Sequence, residues 1–205
     1  MIRTIAAVST VAMVALMGGI WYASQPNSDD AFAQCRSSTV AGGAGAIGGP
    51  FELVNEDGAT VTDAEVITEP TLLYFGYTFC PDVCPMDTAR NAEAVELLEE
   101  RGIMTNPAMI TIDPERDTPE VMAEFTDYLH PRMIGLTGSE AQIKAASKAY
   151  KTYYKRQPAE DEFYLVDHST FTYLVLPEVG FVEYFRRETT PEQIAETVAC
   201  YASHS

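Results

Sequence analysis

Four short apolar runs of strand length alternate along this chain with stretches that open on proline or a capping residue and carry helical periodicity. The runs are Leu72 to Tyr77 (LLYFGY), Ala108 to Ile112 (AMITI), Phe171 to Leu176 (FTYLVL) and Phe181 to Phe185 (FVEYF). Pro85, Pro119 and Pro191 are spaced as first-turn prolines, where a missing N–H costs nothing, and Gly102 is placed to close the first helix. Ser139 with Gln142, and Thr190 with Gln193, form the capping-box pattern. Strands alternating with helices imply an α/β sheet. The last two strands, joined only by Pro177-Glu178-Val179-Gly180, must form an antiparallel hairpin. A smaller hairpin is expected at Phe51 to Val61 about Asp57-Gly58.

Strand-helix-strand, then helices, then a hairpin and a terminal helix is the order of a thioredoxin-like fold, here with an added N-terminal hairpin. The chain has 205 residues, enough for one such domain and an appendage. The appendage opens with Thr4 to Ala23, which carries no charge. Twenty helical residues span roughly the 30 Å apolar core of a bilayer. Arg3 precedes this run, Asp29 and Asp30 follow it, and Trp21 and Tyr22 fall where an interfacial aromatic belt would lie. A single transmembrane helix is therefore expected, with the N-terminus cytoplasmic. A signal peptide cleaved near Ala31-Phe32-Ala33 is the alternative, although that site lies well beyond the apolar run. In either case the rest of the chain is exported, and the lack of an Arg-rich amphipathic head favours a bacterial inner membrane with a periplasmic domain. Residues 1–24 are thus read as anchor, 25–49 as a flexible Gly/Ala-rich tether, and 50–205 as the folded domain.

Thirty Asp and Glu against 13 Lys and Arg give a net charge of −17, which repels phosphate backbones and argues against nucleic-acid binding. Only four cysteines are present, too few for a disulfide scaffold, so their positions matter more than their number. Cys80 and Cys84 lie in FCPDVCP, where a strand ends and a helix begins. In open α/β sheets chemistry gathers beyond the carboxyl ends of strands, and a helix N-terminus favours thiolate. At spacing i, i+4 on helical geometry the two side chains share one face, roughly 5 to 6 Å apart at Cβ, close enough to share a metal ion. Three intervening residues rather than the two of a C-x-x-C oxidoreductase favour metal, while a disulfide remains open. Of the three histidines, His130 before Pro131 reads as a helix end and His204 lies next to the terminus. His168 directly precedes the FTYLVL run. If that strand is antiparallel to LLYFGY, its start lies at the sheet edge that holds Cys80. Two thiolates and one imidazole form a soft, low-coordinate set that suits Cu(I) better than structural zinc, which wants a fourth protein ligand. The eight methionines are scattered and read as core filler or surface.

The runs YFGYTFCPDVCP (Tyr74 to Pro85), IDPERDTPE (Ile112 to Glu120) and LVDHS (Leu165 to Ser169), in this order and accompanied by GLTGS at Gly135, resemble the Sco/SenC family. The likeness extends from about Phe51 to the terminal helix. It implies a membrane-tethered, thioredoxin-like copper chaperone whose Cys80, Cys84 and His168 bind copper as Cu(I) or Cu(II). It also implies a partner, the copper-accepting subunit of cytochrome c oxidase, whose CuA centre is assembled, and it leaves the copper donor unidentified. Asp117, ahead of Pro119 and Glu120, reads as part of a helix cap, and Asp113 as a group that tunes the site or helps docking. Asp167, adjacent to His168, should point to the opposite face of the strand.

Cys35 and Cys200 lie outside these motifs. In an oxidising compartment they could form a structural disulfide worth roughly 5 kcal/mol by chain entropy, with two unpaired thiols as the alternative. Three functions compete for the Cys80–Cys84 pair. The first is copper delivery; the second is a thiol-disulfide reductase that prepares the CuA-site cysteines of the oxidase subunit; a peroxiredoxin-like peroxidase is the weakest. The segment Gln157 to Glu162 (QPAEDE) reads as a mobile loop ahead of His168.

Overall fold

The computed structural model describes residues 15–19, 31–40, 43–159 and 163–204. It divides into two units, Met1–Gln34 and Cys35–Ser205. In the first, 15–19 are helical and most of the expected anchor lies outside the described residues. No described helix is long and apolar enough to cross a membrane.

The second unit is built on a seven-stranded sheet in the order β2-β1-β5-β4-β3-β8-β9. Its strands are β1 (Glu52–Asn55), β2 (Thr60–Thr62), β3 (Thr71–Gly76), β4 (Asn106–Thr111), β5 (Ile134–Thr137), β8 (Thr172–Leu176) and β9 (Gly180–Phe185). The helices are α1 (Asp63–Val66), α2 (Val83–Glu99), α3 (Pro119–Leu129), α4 (Glu140–Ala149) and α5 (Pro191–Ala202). Strands β3, β4 and β5 are parallel, while β8 runs antiparallel to β3 with Tyr74 opposite Thr172. Every residue of β3 is buried, which requires cover on both faces and explains why LLYF reads as a continuous rather than an alternating apolar run. The hairpins β1–β2 and β8–β9 form as their turn sequences predict.

Helix α3 begins at Pro119 and α5 at Pro191, and the capping boxes of α4 and α5 are both made. Gly102 has φ +75°, a conformation that favours glycine, and its N–H donates to the Glu99 carbonyl just past the end of α2. Two features depart from the sequence-based expectation. Strand β5 has only four residues, too few for a periodicity signal. A separate two-stranded sheet also forms from β6 (Tyr154–Arg156) and β7 (Val166–His168). At three residues each, YKR and VDH, they are too short and too polar to carry an apolar pattern.

The described residues 35–40 and 43–49, expected to belong to the tether, lie on the domain. Cys35 and Cys200 form a disulfide with Cα atoms 5.6 Å apart. The buried Glu183 carboxylate of β9 accepts hydrogen bonds from the backbone N–H groups of Ser37 and Ser38 at 2.9 and 3.2 Å, and from both serine hydroxyls. Val40 and Ile47 pack against the core, and Gly48 donates to the Ala149 carbonyl. Donors this close satisfy a carboxylate that would otherwise be costly to bury on an edge strand.

Candidate metal centre

Strand β3 ends at Gly76, and the loop 77–82 returns the chain to the N-terminus of α2. Cys80 lies in this loop rather than in the helix, with its N–H bonded to the Tyr77 carbonyl. Cys84 is the second residue of α2 and donates its backbone N–H to Cys80 Sγ at 3.3 Å. The two sulfurs therefore meet because the loop folds Cys80 over a free helix N–H, not because both occupy one helical face. The N-cap position, Asp82, makes no side-chain cap bond, so the Cys80 sulfur takes over part of that work.

Strand β7 supplies the third group. His168 Nε2 is 3.3 Å from Cys84 Sγ, and the ligand atoms of Cys80, Cys84 and His168 all lie within 4.8 Å of one another. The inference from antiparallel β3 and β8 holds geometrically, since β7 leads into β8 at the edge where β3 ends. His168 Nδ1 is 2.9 Å from the Ser169 carbonyl, a contact that fixes the ring with Nε2 toward the sulfurs. Tyr74 and Tyr77 meet the imidazole edge-on, with centroids 6.2 and 5.8 Å away.

Both thiols are free and buried. The Cys80 thiol is held well below the usual thiol range, first by the hydrogen bond from Cys84 and then by those from His168 and the backbone, against the opposing effect of burial. Cys84 is pushed up, by its bond to Cys80 and by burial. One thiolate is thus stabilised at Cys80 while Cys84 keeps its proton. Behind Cys84 the packing is tight. A Cβ placed on Gly76 would lie 2.6 Å from the Tyr74 ring and 3.1 Å from Cys84 Sγ, so only glycine lets strand and helix approach this closely. Tyr74, whose hydroxyl burial keeps protonated, donates to Asp87 Oδ2 at 3.0 Å. Asp87 is itself held between Arg90 and Arg187, at 3.7 and 3.5 Å.

Asp117 does not cap α3. That role falls to Thr118, whose side chain accepts from the Val121 N–H. Asp117 is fully buried and accepts from the Thr78 N–H and hydroxyl, at 3.0 and 2.5 Å, and from the Thr111 hydroxyl at 2.5 Å. It pins the cysteine loop to β4. Burial raises its pKa, partly offset by these donors. Asp113 accepts from Arg116 and Tyr164. Asp167 is exposed and bonds Gln157, on the face away from His168 as strand alternation requires.

The other sequence candidates lie elsewhere. His130 caps the end of α3, its Nδ1 accepting from the Arg132 N–H. His204 lies with Cys35 and Cys200, whose sulfurs the disulfide occupies. Met86 is exposed. The proposed mobile loop overlaps residues outside those described. Tyr74 and Tyr77 entered the sequence reading only as members of the YFGYTFCPDVCP run, and Asp87 and Tyr164 not at all, since a tyrosine beside apolar residues looks like core and a helix aspartate looks like surface.

The family model described as SCO1/SenC matches residues 40–203. Protein SenC of Rhodobacter capsulatus is 51% identical over 200 residues, 97% of this chain and 90% of that protein. Among solved structures, the copper-bound ScoI of Arabidopsis thaliana is 39% identical with a TM-score of 0.73, covering 77% of this chain and 99% of that one. The copper-bound ScoI of Bradyrhizobium japonicum is 38% identical with a TM-score of 0.69, covering 76% and 99%.

Proposed function

The chain belongs to the SCO1/SenC family, and from that premise we propose that it is a copper chaperone binding copper through Cys80, Cys84 and His168. The observation that carries this reading is the convergence of two sulfurs and one imidazole nitrogen within 4.8 Å. Three soft donors match the low coordination that Cu(I) accepts. The chain's own contributions are a stabilised thiolate at Cys80, an imidazole oriented by the Ser169 carbonyl, and a second sulfur kept close by Gly76. In this reading copper is cargo, passed to the copper-accepting subunit of cytochrome c oxidase to assist assembly of its CuA centre. The domain works in the periplasm, tethered to a bacterial inner membrane by residues 1–24, in keeping with the uncharged run Thr4 to Ala23 and the Cys35–Cys200 disulfide. The donor that loads it is not identified.

The test is copper retention by the reduced protein against a Cu(I) chelator. His168→Ala is expected to weaken retention markedly while leaving oxidation of Cys80 and Cys84 intact. Undiminished retention would overturn the ligand assignment.

A second reading is supported by the free thiols and the low Cys80 pKa. Cys80 thiolate attacks a disulfide in the apo-oxidase subunit, forming a mixed disulfide; Cys84 then attacks Cys80, releasing the partner's dithiol and leaving Cys80–Cys84 oxidised. The two electrons come from the pair, and His168 neither forms a bond nor exchanges electrons; its contribution is the hydrogen bond that helps lower the Cys80 pKa. Oxidase assembly lost on deletion and rescued by copper favours delivery; rescue by reductant alone favours reduction.

A further inference from the structure

His168 belongs to a two-stranded sheet that shares no ladder with the seven-stranded sheet carrying the cysteines. A three-residue link, 169–171, ties its strand to β8, and side chains that bridge the two sheets hold it from the other side. One of these is the Tyr77 hydroxyl, which accepts from the Val166 N–H at 3.3 Å, and the others converge on Tyr164, two residues before β7. The Tyr164 hydroxyl donates to Asp113 Oδ1 at 2.7 Å, and the other oxygen of Asp113 accepts from Arg116 Nε at 2.6 Å. Arg116 then donates from Nη2 to the Tyr164 carbonyl at 3.1 Å, and its guanidinium lies 3.7 Å from the Tyr164 ring centroid. Arg156 covers the ring too, at 3.5 Å. Arg156 is on β6, paired in register with Val166, and forms an ion pair with Glu115 at 2.7 Å.

We infer that Asp113, Arg116 and Tyr164 form a latch that sets His168 against the dithiol, making them positioning residues for copper. The inference rests on the reading of His168 as a ligand. Asp113, Glu115 and Arg116 all come from the loop between β4 and α3, so one loop of the main body grips β6 at Arg156 and the approach to β7 at Tyr164. The same Arg116 guanidinium lies 4.7 Å from the Phe79 ring centroid, one residue before Cys80, and 5.8 Å from that of Tyr77. It thus touches the cysteine loop and the histidine strand together. A planar guanidinium can stack on a ring while donating in its own plane; a lysine ammonium, a point charge with no such plane, cannot do both at once.

The test is a double-mutant cycle on the full-length protein, reading Cu(I) retention against a chelator. Arg116→Lys, which keeps the charge, and Tyr164→Phe, which keeps the ring, are each expected to weaken retention by roughly 10- to 100-fold, the range for groups that orient metal ligands. Combined with His168→Ala, neither should weaken retention beyond His168→Ala alone. Retention at the wild-type level in both single variants, or losses that multiply with that of His168→Ala, would overturn the latch. His168→Ala retaining copper like wild type would overturn the ligand reading and the latch with it. If Arg116→Lys fails to fold, as seen by circular dichroism, Tyr164→Phe carries the cycle.

Discussion

Cys80 and Cys84 stand four positions apart and remain free thiols, whereas Cys35 and Cys200, 165 positions apart, are joined. Loop entropy explains why this division suits the molecule. A cross-link closing nearly the whole domain removes about 5 kcal/mol of unfolded-state freedom, while one closing five residues removes about 2 kcal/mol. Leaving the short pair open sacrifices little stability and keeps two sulfurs available beside an imidazole. The long pair does the stapling. It holds the start of the domain's N-terminal segment against α5, where Ser37 and Ser38 satisfy the buried Glu183.

Substitutions that remove one pair at a time separate the two roles. Cys84→Ser should abolish stoichiometric Cu(I) retention, measured by metal analysis after gel filtration, with little change in urea denaturation. The double variant Cys35→Ser/Cys200→Ser should show the reverse: stability lowered by about 2–5 kcal/mol in urea denaturation and copper retention unchanged. A loss of copper in the second variant would join the two pairs into one functional unit.

Gly76→Ala tests the tight packing behind the open pair. The added methyl group overlaps the Tyr74 ring and crowds Cys84, so stability should fall by about 1–3 kcal/mol, with weaker copper retention. An unchanged unfolding midpoint would show that the site has room that its geometry denies.

The smallest effect concerns Asp117, which holds the cysteine loop from behind. Burial raises its pKa, so the folded state binds that proton more tightly than the unfolded chain does. Its contribution is favourable below the unfolded carboxylate range and is lost as pH rises through the folded value, by about 1.4 kcal/mol for each unit between the two. Wild type should therefore lose stability relative to Asp117→Asn as pH rises from 4 to 7. Parallel pH profiles in urea denaturation would refute this.

Much of this molecule is readable along the chain. The apolar runs mark β3, β4, β8 and β9 to within two residues, because a strand buried on both faces must be apolar throughout. Pro119, Pro191 and the two capping boxes mark helix starts, because the orphan N–H groups of a first turn are satisfied locally. The three candidate ligands are likewise legible, the cysteines from their motif and His168 from its position before a strand antiparallel to β3. What short-range sequence could not supply is anything held by partners distant along the chain. Thr118 rather than Asp117 caps α3, because Asp117 is drawn inward to Thr78, 39 positions away. The small sheet bearing His168 has no apolar signature, since its place is fixed by Arg116, Tyr164 and Arg156 stacking across three separate segments.

Residue types and their spacing thus determined that this chain makes an α/β sheet with two thiols at a strand-to-helix junction, because backbone hydrogen bonding and burial act over a few residues. Only the tertiary structure decided which sulfurs bond to each other and which stay open beside the imidazole, because those outcomes depend on side chains brought within a few ångströms by the packing of the whole domain.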